Sequence, residues 1–299
     1  MQNSRSAQVP AAKSKSPLLA YLVETFPEFK KTKIKQMLKF GSARVNDRVV
    51  TQFDHALKAG DTVELRLDKK PSDWGRGSWR FPIVYEDDAL IVIDKPAGLL
   101  TVATENMKTE TAYYQLNEYL KKTASRRRER VFIVHRLDKD ASGLIVFAKT
   151  MAAKEFLQRH WKDVEKKYFA VVQGVPTPET GVIDTHLKES GAYRVYSTPP
   201  GGDSKRAVTH YKVLRKTGRR RALLEILLVT GRKNQIRVHL SEAGHPILGD
   251  KKYGATEDPV RRLALHAFYL SFKHPLTGEQ KQFKTGLPEI LGRLMEKAD

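Results

Sequence analysis

The stretch HRLDKDASGLIVFAK, residues 135–149, decides how the rest of the chain is read. Its centre, Asp138-Lys-Asp140-Ala-Ser142-Gly143, has the D-x-D-x-S-G opening of a calcium loop, yet it also reads as a polar turn or as a catalytic carboxylate. The calcium reading fails on charge and on context. With Asp138 at loop position one, position twelve must supply a bidentate carboxylate, and Lys149 stands there. The second half of the loop is a strand-like run where a helix should begin. A plain turn is the bland alternative, since Asp and Ser-Gly form turns readily. Two features weigh against it. Arg136 stands two residues before Asp138, so both side chains project to the same side of extended chain. The apolar run Leu144–Ala148 follows directly, so the carboxylate lies at the edge of a packed core. A carboxylate in that position needs a cationic partner, or its pKa rises.

The 299 residues suffice for two domains, and 40% hydrophobic with 29% charged residues describes an ordinary soluble protein. No apolar run is long enough to cross a bilayer. The absence of cysteine removes disulfides, thiolate nucleophiles and cysteine-type zinc sites, and it fits a cytoplasmic location. A formal charge of +20 is the strongest bulk signal. Charge of that size destabilises a compact state by self-repulsion unless a polyanion uses it. Because it falls in several separated clusters rather than on one amphipathic helix, the expected partner is a nucleic acid and not a membrane.

The basic segment MQNSRSAQVPAAKSKS, residues 1–16, is expected to be a disordered arm. Residues 17–66 form a coherent small unit. In FKKTKIKQMLKFG, Ile34, Met37 and Leu38 share one helix face while Lys31, Lys35 and Lys39 line the adjacent one, and these lysines are candidate phosphate contacts. Short strands follow at Ala43–Val50 and Asp61–Leu65. KIKQMLKFGSARVNDRVV followed by AGDTVEL resembles an S4 RNA-binding domain, which implies an RNA partner for this unit. Residues 67–80 read as a Gly/Pro-rich linker. Residues 81–299 read as one mixed, mainly antiparallel β-sheet domain of α+β class. Its Arg-rich cluster SRRRER holds Arg126, Arg127 and Arg128 as candidate phosphate grips, and KTGRRR (216–221) is a second such cluster.

The histidines lack zinc spacing, no H-E-x-x-H occurs, and Ser142 lies in no G-x-S-x-G elbow. His135-Arg136-Leu137-Asp138 with Ser142-Gly143-Leu144 instead resembles the signature of the RluA-type pseudouridine synthases. Three further stretches agree in order: Asp94-Lys95-Pro96-Ala97-Gly98-Leu99, Lys166-Lys167-Tyr168-Phe169-Ala170, and Gly231-Arg232-Lys233-Asn234-Gln235-Ile236-Arg237-Val238-His239-Leu240, continuing to Gly244-His245-Pro246 and Gly249-Asp250. With the S4-like unit, the resemblance spans about residues 17–285. It implies isomerisation of uridine in RNA, a redox-neutral reaction for which neither cofactor nor metal is expected. The base must leave its stack, at a cost of roughly a few kcal/mol, and enter a closed pocket.

The same resemblance implies Asp138 as the essential carboxylate, with attack on ribose, attack on the base and removal of a ribose proton all open to it. It implies Arg237 as the cation that pairs with Asp138 and keeps its pKa low. Tyr168 is implied to face the base and handle its C5 proton, Arg136 to fill the gap that the base leaves, and Leu240 either to line the pocket or simply to belong to the core. Two positions depart from the family pattern, Ala141 where threonine is usual and Asn234 where histidine is usual. Both bear on the hydrogen bonds that aim the Asp138 and Arg237 segments. The expected enzyme acts as a monomer on ribosomal RNA, with transfer RNA open. The rival reading is a non-catalytic RNA-binding or ribosome-assembly factor on the same fold.

Overall fold

The computed structural model describes residues 4–10, 13–14, 16–29, 31–39, 43–46, 48–50, 52–66, 81–104, 109–123, 130–191 and 194–296. The chain divides into two compact units, Met1–Ser78 and Trp79–Asp299. The expected linker, residues 67–80, lies outside the described residues.

In the first unit, β1 (Ser4–Gln8), α1 (Leu18–Thr25), α2 (Lys31–Lys39), β2 (Ala43–Val45), β3 (Arg48–Val49) and β4 (Thr62–Arg66) follow in order. The strands make a sheet ordered β1-β4-β2-β3. Ile34, Met37 and Leu38 recur at helical spacing and pack with Leu18, Leu22, Val63 and Leu65 into one core. Lys31 and Lys35, one turn apart, are exposed. The expected disordered arm needs correction. Ser4–Gln8 pairs antiparallel with Thr62–Arg66, and Val9 is buried, its amide donating to the Asp61 carbonyl at 2.8 Å. An open edge of β4 can recruit a polar segment because main-chain hydrogen bonds make no demand on composition.

The second unit opens with β5 (Ile83–Glu86), β6 (Leu90–Lys95), α3 (Ala112–Thr123), β7 (Phe132–Ile133), β8 (Ser142–Ala148) and α4 (Met151–Arg159). It continues through β9 (Glu165–Gln173), β10 (Thr180–Glu189), β11 (Val195–Thr198), β12 (Lys205–Thr217), β13 (Arg221–Leu228), α5 (Gln235–Glu242), β14 (Leu265–Lys273), β15 (Gln280–Lys284) and α6 (Glu289–Gly292). The strands join one sheet ordered β11-β10-β12-β13-β9-β14-β8-β6-β5, with β15 on β14 and β7 on β8. Among the described residues only β14 and β8 pair in parallel, so the sheet is mixed and mostly antiparallel, of α+β class.

Apolar residues on both faces explain the unbroken runs of β6 and β8. Ile91, Ile93, Ile145 and Phe147 pack with Leu116 and Leu120 of α3, while Leu90, Val92, Val146 and Ala148 pack with Ala153 and Leu157 of α4.

Candidate active site

Strand register assembles the site. Lys95 on β6 lies opposite Gly143 on β8, Gly143 opposite Ala267 on β14, and Ala267 opposite Tyr168 on β9. This row crosses four adjacent strands. Gly143 sits at φ +117°, and a Cβ there would fall 2.2 Å from the Ala267 carbonyl oxygen, so only glycine admits the approach. Asp138 lies in the segment that enters β8. Leu137 is clamped just before it: the Thr101 hydroxyl donates to the Leu137 carbonyl at 2.7 Å and accepts from its amide at 3.2 Å.

Lys95 holds the turn from below. Its side chain is fully buried, and Nζ donates to the carbonyls of Ala141 (2.7 Å), Leu99 (2.8 Å), Pro96 (2.9 Å) and Lys139 (3.2 Å). One ammonium thus ties the 96–99 loop to the Asp138 turn. Burial pulls Lys95 down to about 7, while Asp138 and Asp140 pull it back up.

Arg237 projects from α5 toward the turn. Its principal partner is Asp250, whose carboxylate accepts from Nε and Nη2 at 2.7 Å each. The distance from Arg237 Nη1 to Asp138 Oδ2 is 3.7 Å. Arg237 therefore bridges two carboxylates but is bidentate to only one, and a pair bonded in that way is the stronger. The Asp250 side chain is 1% exposed, Arg237 11% and Asp138 36%, so Asp138 is the member open to a visitor. The expectation that a cation keeps the Asp138 pKa low is corrected. Burial raises it, and Arg237 and Lys95 offset this only in part, because Arg237 is committed mainly to Asp250. Replacing Lys95 with Met should raise the Asp138 pKa further, measured by NMR titration of its carboxyl carbon. An unchanged midpoint would show that this ammonium does not act on Asp138.

Tyr168 is buried at the end of the row, and burial, then the charge of Asp138, pushes its phenol well above the ordinary tyrosine range. It keeps its proton at any physiological pH. Arg136 is exposed and makes no ion pair among the described residues. Leu240 is 1% exposed and packs in the main core, as the second of its two readings has it. Arg126, Arg127 and Arg128 lie outside the described residues, as does the side chain of Lys39. In the second basic cluster, Arg221 is tied to Glu257 at 2.5 Å and Lys216 to Glu179, leaving Arg219 and Arg220 exposed at the hairpin tip.

Both departures from the family pattern have clear surroundings. Ala141 is buried, with its carbonyl on Lys95. Asn234 caps α5 in the left-handed region at φ +54°, which asparagine tolerates better than most residues. Its amide donates to the Tyr253 hydroxyl at 3.0 Å, and its carbonyl oxygen accepts from Arg237 at 3.4 Å. Asn234 thus helps to aim Arg237.

A cleft of about 660 Å³ opens beside this constellation, lined among others by Gly98, Asp140, Arg237, Asp250, Lys251 and Arg262. Arg237 is the lining residue that also reaches Asp138, at 3.7 Å; Asp138 and Tyr168 are not themselves part of the lining. No group of three or more His, Cys, Asp or Glu suited to a metal occurs among the described residues. Ser142 has its oxygen engaged by Arg262 Nη2 at 2.7 Å and His266 Nδ1 at 2.9 Å, and it is buried, which leaves it unsuited to nucleophilic attack. Lys95, Thr101 and Asp250 went unassigned at the sequence level. Lys95 and Asp250 sat inside recognised motifs, but nothing in their spacing revealed a caged ammonium or a guanidinium clamp.

The family model described as RNA pseudouridylate synthase matches residues 89–242. The ribosomal large subunit pseudouridine synthase D of Vibrio cholerae is 35% identical over 90% of this chain and 86% of its own length. The protein of that name from Haemophilus influenzae is 32% identical over 100% of this chain and 96% of its own. Among solved structures, human RNA pseudouridylate synthase domain containing 4 is similar at a TM-score of 0.58 and 29% identity, covering 70% of this chain and 90% of that one.

Proposed function

The chain belongs to the RNA pseudouridylate synthase family and isomerises uridine in RNA to pseudouridine, and we propose that its target lies in large-subunit ribosomal RNA, with Asp138 as the essential carboxylate. The observation that carries the assignment of Asp138 is the Asp250–Arg237–Asp138 bridge, in which one carboxylate is sealed and the other faces outward beside a cleft. The glycosidic N1–C1′ bond breaks, a C5–C1′ bond forms, C5 loses a proton and N1 gains one, so the balance closes without a co-reactant. Each duty open to Asp138 requires its ionised form, and the Arg237 and Lys95 cations favour that form against burial. Tyr168, protonated in the resting site and buried near the charge of Asp138, packs against the base and handles its C5 proton. Arg136, exposed two residues before Asp138, is suited to fill the gap left by the flipped nucleotide.

Two relatives named as ribosomal large subunit enzymes support the ribosomal target. We read the protein as a cytoplasmic monomer; among the described residues no helix is long and apolar enough to cross a membrane. The test is to incubate transcripts of large-subunit ribosomal RNA and of transfer RNAs with the protein and map pseudouridine. Product in the ribosomal transcript alone is expected, and product confined to transfer RNA would overturn the assignment.

The first unit is read as an S4-like RNA-binding domain, in which Lys31, Lys35 and Lys39 of α2 meet phosphates. Its exposed Lys31 and Lys35 support this, as does a core separate from that of the second unit. Removing residues 1–66 should weaken RNA binding at least about tenfold and flatten its dependence on salt. The single-turnover rate at saturating RNA should stay within about threefold. Collapse of that rate would show that the unit serves the chemical step.

A further inference from the structure

The charges of the cleft are unevenly matched. Arg237 is bound by Asp250, and Lys251 Nζ lies 3.0 Å from Asp258. Arg262 is half-buried on the same wall, yet no carboxylate lies within ion-pair distance of it among the described residues. Its Nε donates to the Leu263 carbonyl at 3.1 Å and its Nη2 to Ser142 Oγ at 2.7 Å and the Leu265 carbonyl at 3.5 Å, and all three acceptors are neutral. A guanidinium taken partly out of water with no carboxylate in contact, and only Asp94 acting on it from beyond ion-pair distance, is costly, and such a cost is recovered when an anion arrives. Burial accordingly pulls Arg262 below its ordinary range, with Asp94 opposing.

The wall that holds Arg262 is closely packed. Gly249 lies at φ +79°, and a Cβ there would meet the Arg262 carbonyl oxygen at 2.1 Å, so the two backbones touch. Arg261, exposed, occupies the left-handed region at φ +52°, which non-glycine residues adopt at a cost. It lines the same cleft, as does the exposed Lys252.

We propose that Arg262, with Arg261 and Lys252 beside it, forms a phosphodiester subsite that grips the RNA backbone next to the nucleotide engaged by Asp138. The Arg262 guanidinium also holds Ser142, the first residue of the strand that Asp138 leads into. Phosphate bound there sets the RNA in register with the aspartate's own turn. The inference rests on the reading of the site as a uridine isomerase, but its test is independent of turnover.

The probe is uridine 3′,5′-bisphosphate, titrated by calorimetry into the full chain and compared with uridine and with inorganic phosphate. Arg262→Gln should weaken the bisphosphate at least about tenfold, the size of a lost charge-assisted contact, and leave uridine unaffected. Arg262→Lys should recover part of that loss. Should Arg262→Gln fail to fold, the surface double variant Arg261→Ala/Lys252→Ala decides, with a loss of about threefold or more expected. Equal bisphosphate affinity in wild type and variants overturns the subsite, as does inorganic phosphate binding as tightly as the bisphosphate. If no RNA is isomerised while bisphosphate affinity still depends on Arg262, the functional reading falls and the subsite stands. If RNA is isomerised and bisphosphate ignores Arg262, the subsite alone falls.

Discussion

Asp138→Asn should reduce pseudouridine formation by at least about a thousandfold while leaving the fold as stable as wild type or more so at neutral pH. The two halves of this expectation have one cause. Burial raises the Asp138 pKa above the ordinary carboxylate value, so the folded state binds its proton more tightly than the unfolded chain does. The stability contributed by that proton is present below the unfolded pKa and lost as pH climbs through the folded one. At neutral pH the fold therefore carries an ionised carboxylate at a cost that a neutral asparagine avoids. Single-turnover assays on a ribosomal transcript and parallel thermal melts would measure both halves. A fully active variant would end the assignment of Asp138, and an inactive variant that melts far below wild type would leave misfolding as the cause. Activity should also decline on the acid side, with its midpoint above the ordinary carboxylate pKa.

Asp250→Asn should produce the opposite pattern, in which stability falls heavily. The Asp250 side chain is 1% exposed, and both of its oxygens accept from Arg237 at 2.7 Å. Removing its charge takes the bidentate partner from a guanidinium in a nearly dry site and leaves only Asp138 at 3.7 Å, a change worth up to about 3–5 kcal/mol for buried pairs. In a unit of this size that corresponds to a fall of roughly 10 °C in melting temperature. Arg237→Met/Asp250→Leu should recover much of the lost stability, because neither partner of the bidentate pair is left charged without the other, but with Asp138 deprived of Arg237 it should not recover isomerisation. A melting temperature within about 2 °C of wild type for Asp250→Asn would show that water reaches this pair and that Arg237 is not fixed by it. As a positioning residue, Asp250 should act on the rate through Arg237. Its variant should therefore lower kcat at saturating RNA more than it raises KM.

Several elements were legible because local chemistry and fold agree. The α2 face of Ile34, Met37 and Leu38 carries helical periodicity that survives packing, and the unbroken apolar run Leu144–Ala148 is the body of β8, buried on both faces. Other elements were not. β10 alternates exposed and half-buried residues along most of its length, so it offers little hydrophobic signal and is held by its ladder to β12. β1 is polar and reads as an arm because its pairing depends on an edge formed by residues some sixty positions later.

By itself, the order of residues determined the family, through four motifs in sequence, and that a strongly basic chain acts on RNA. Only the three-dimensional packing decided how the groups of the site are poised. Arg237 gives its best geometry to Asp250, Lys95 spends its ammonium on four carbonyls, and Leu240 turns into the core. The reason is that side-chain identity is local, whereas ion pairing and desolvation depend on neighbours brought together from distant positions by strand register.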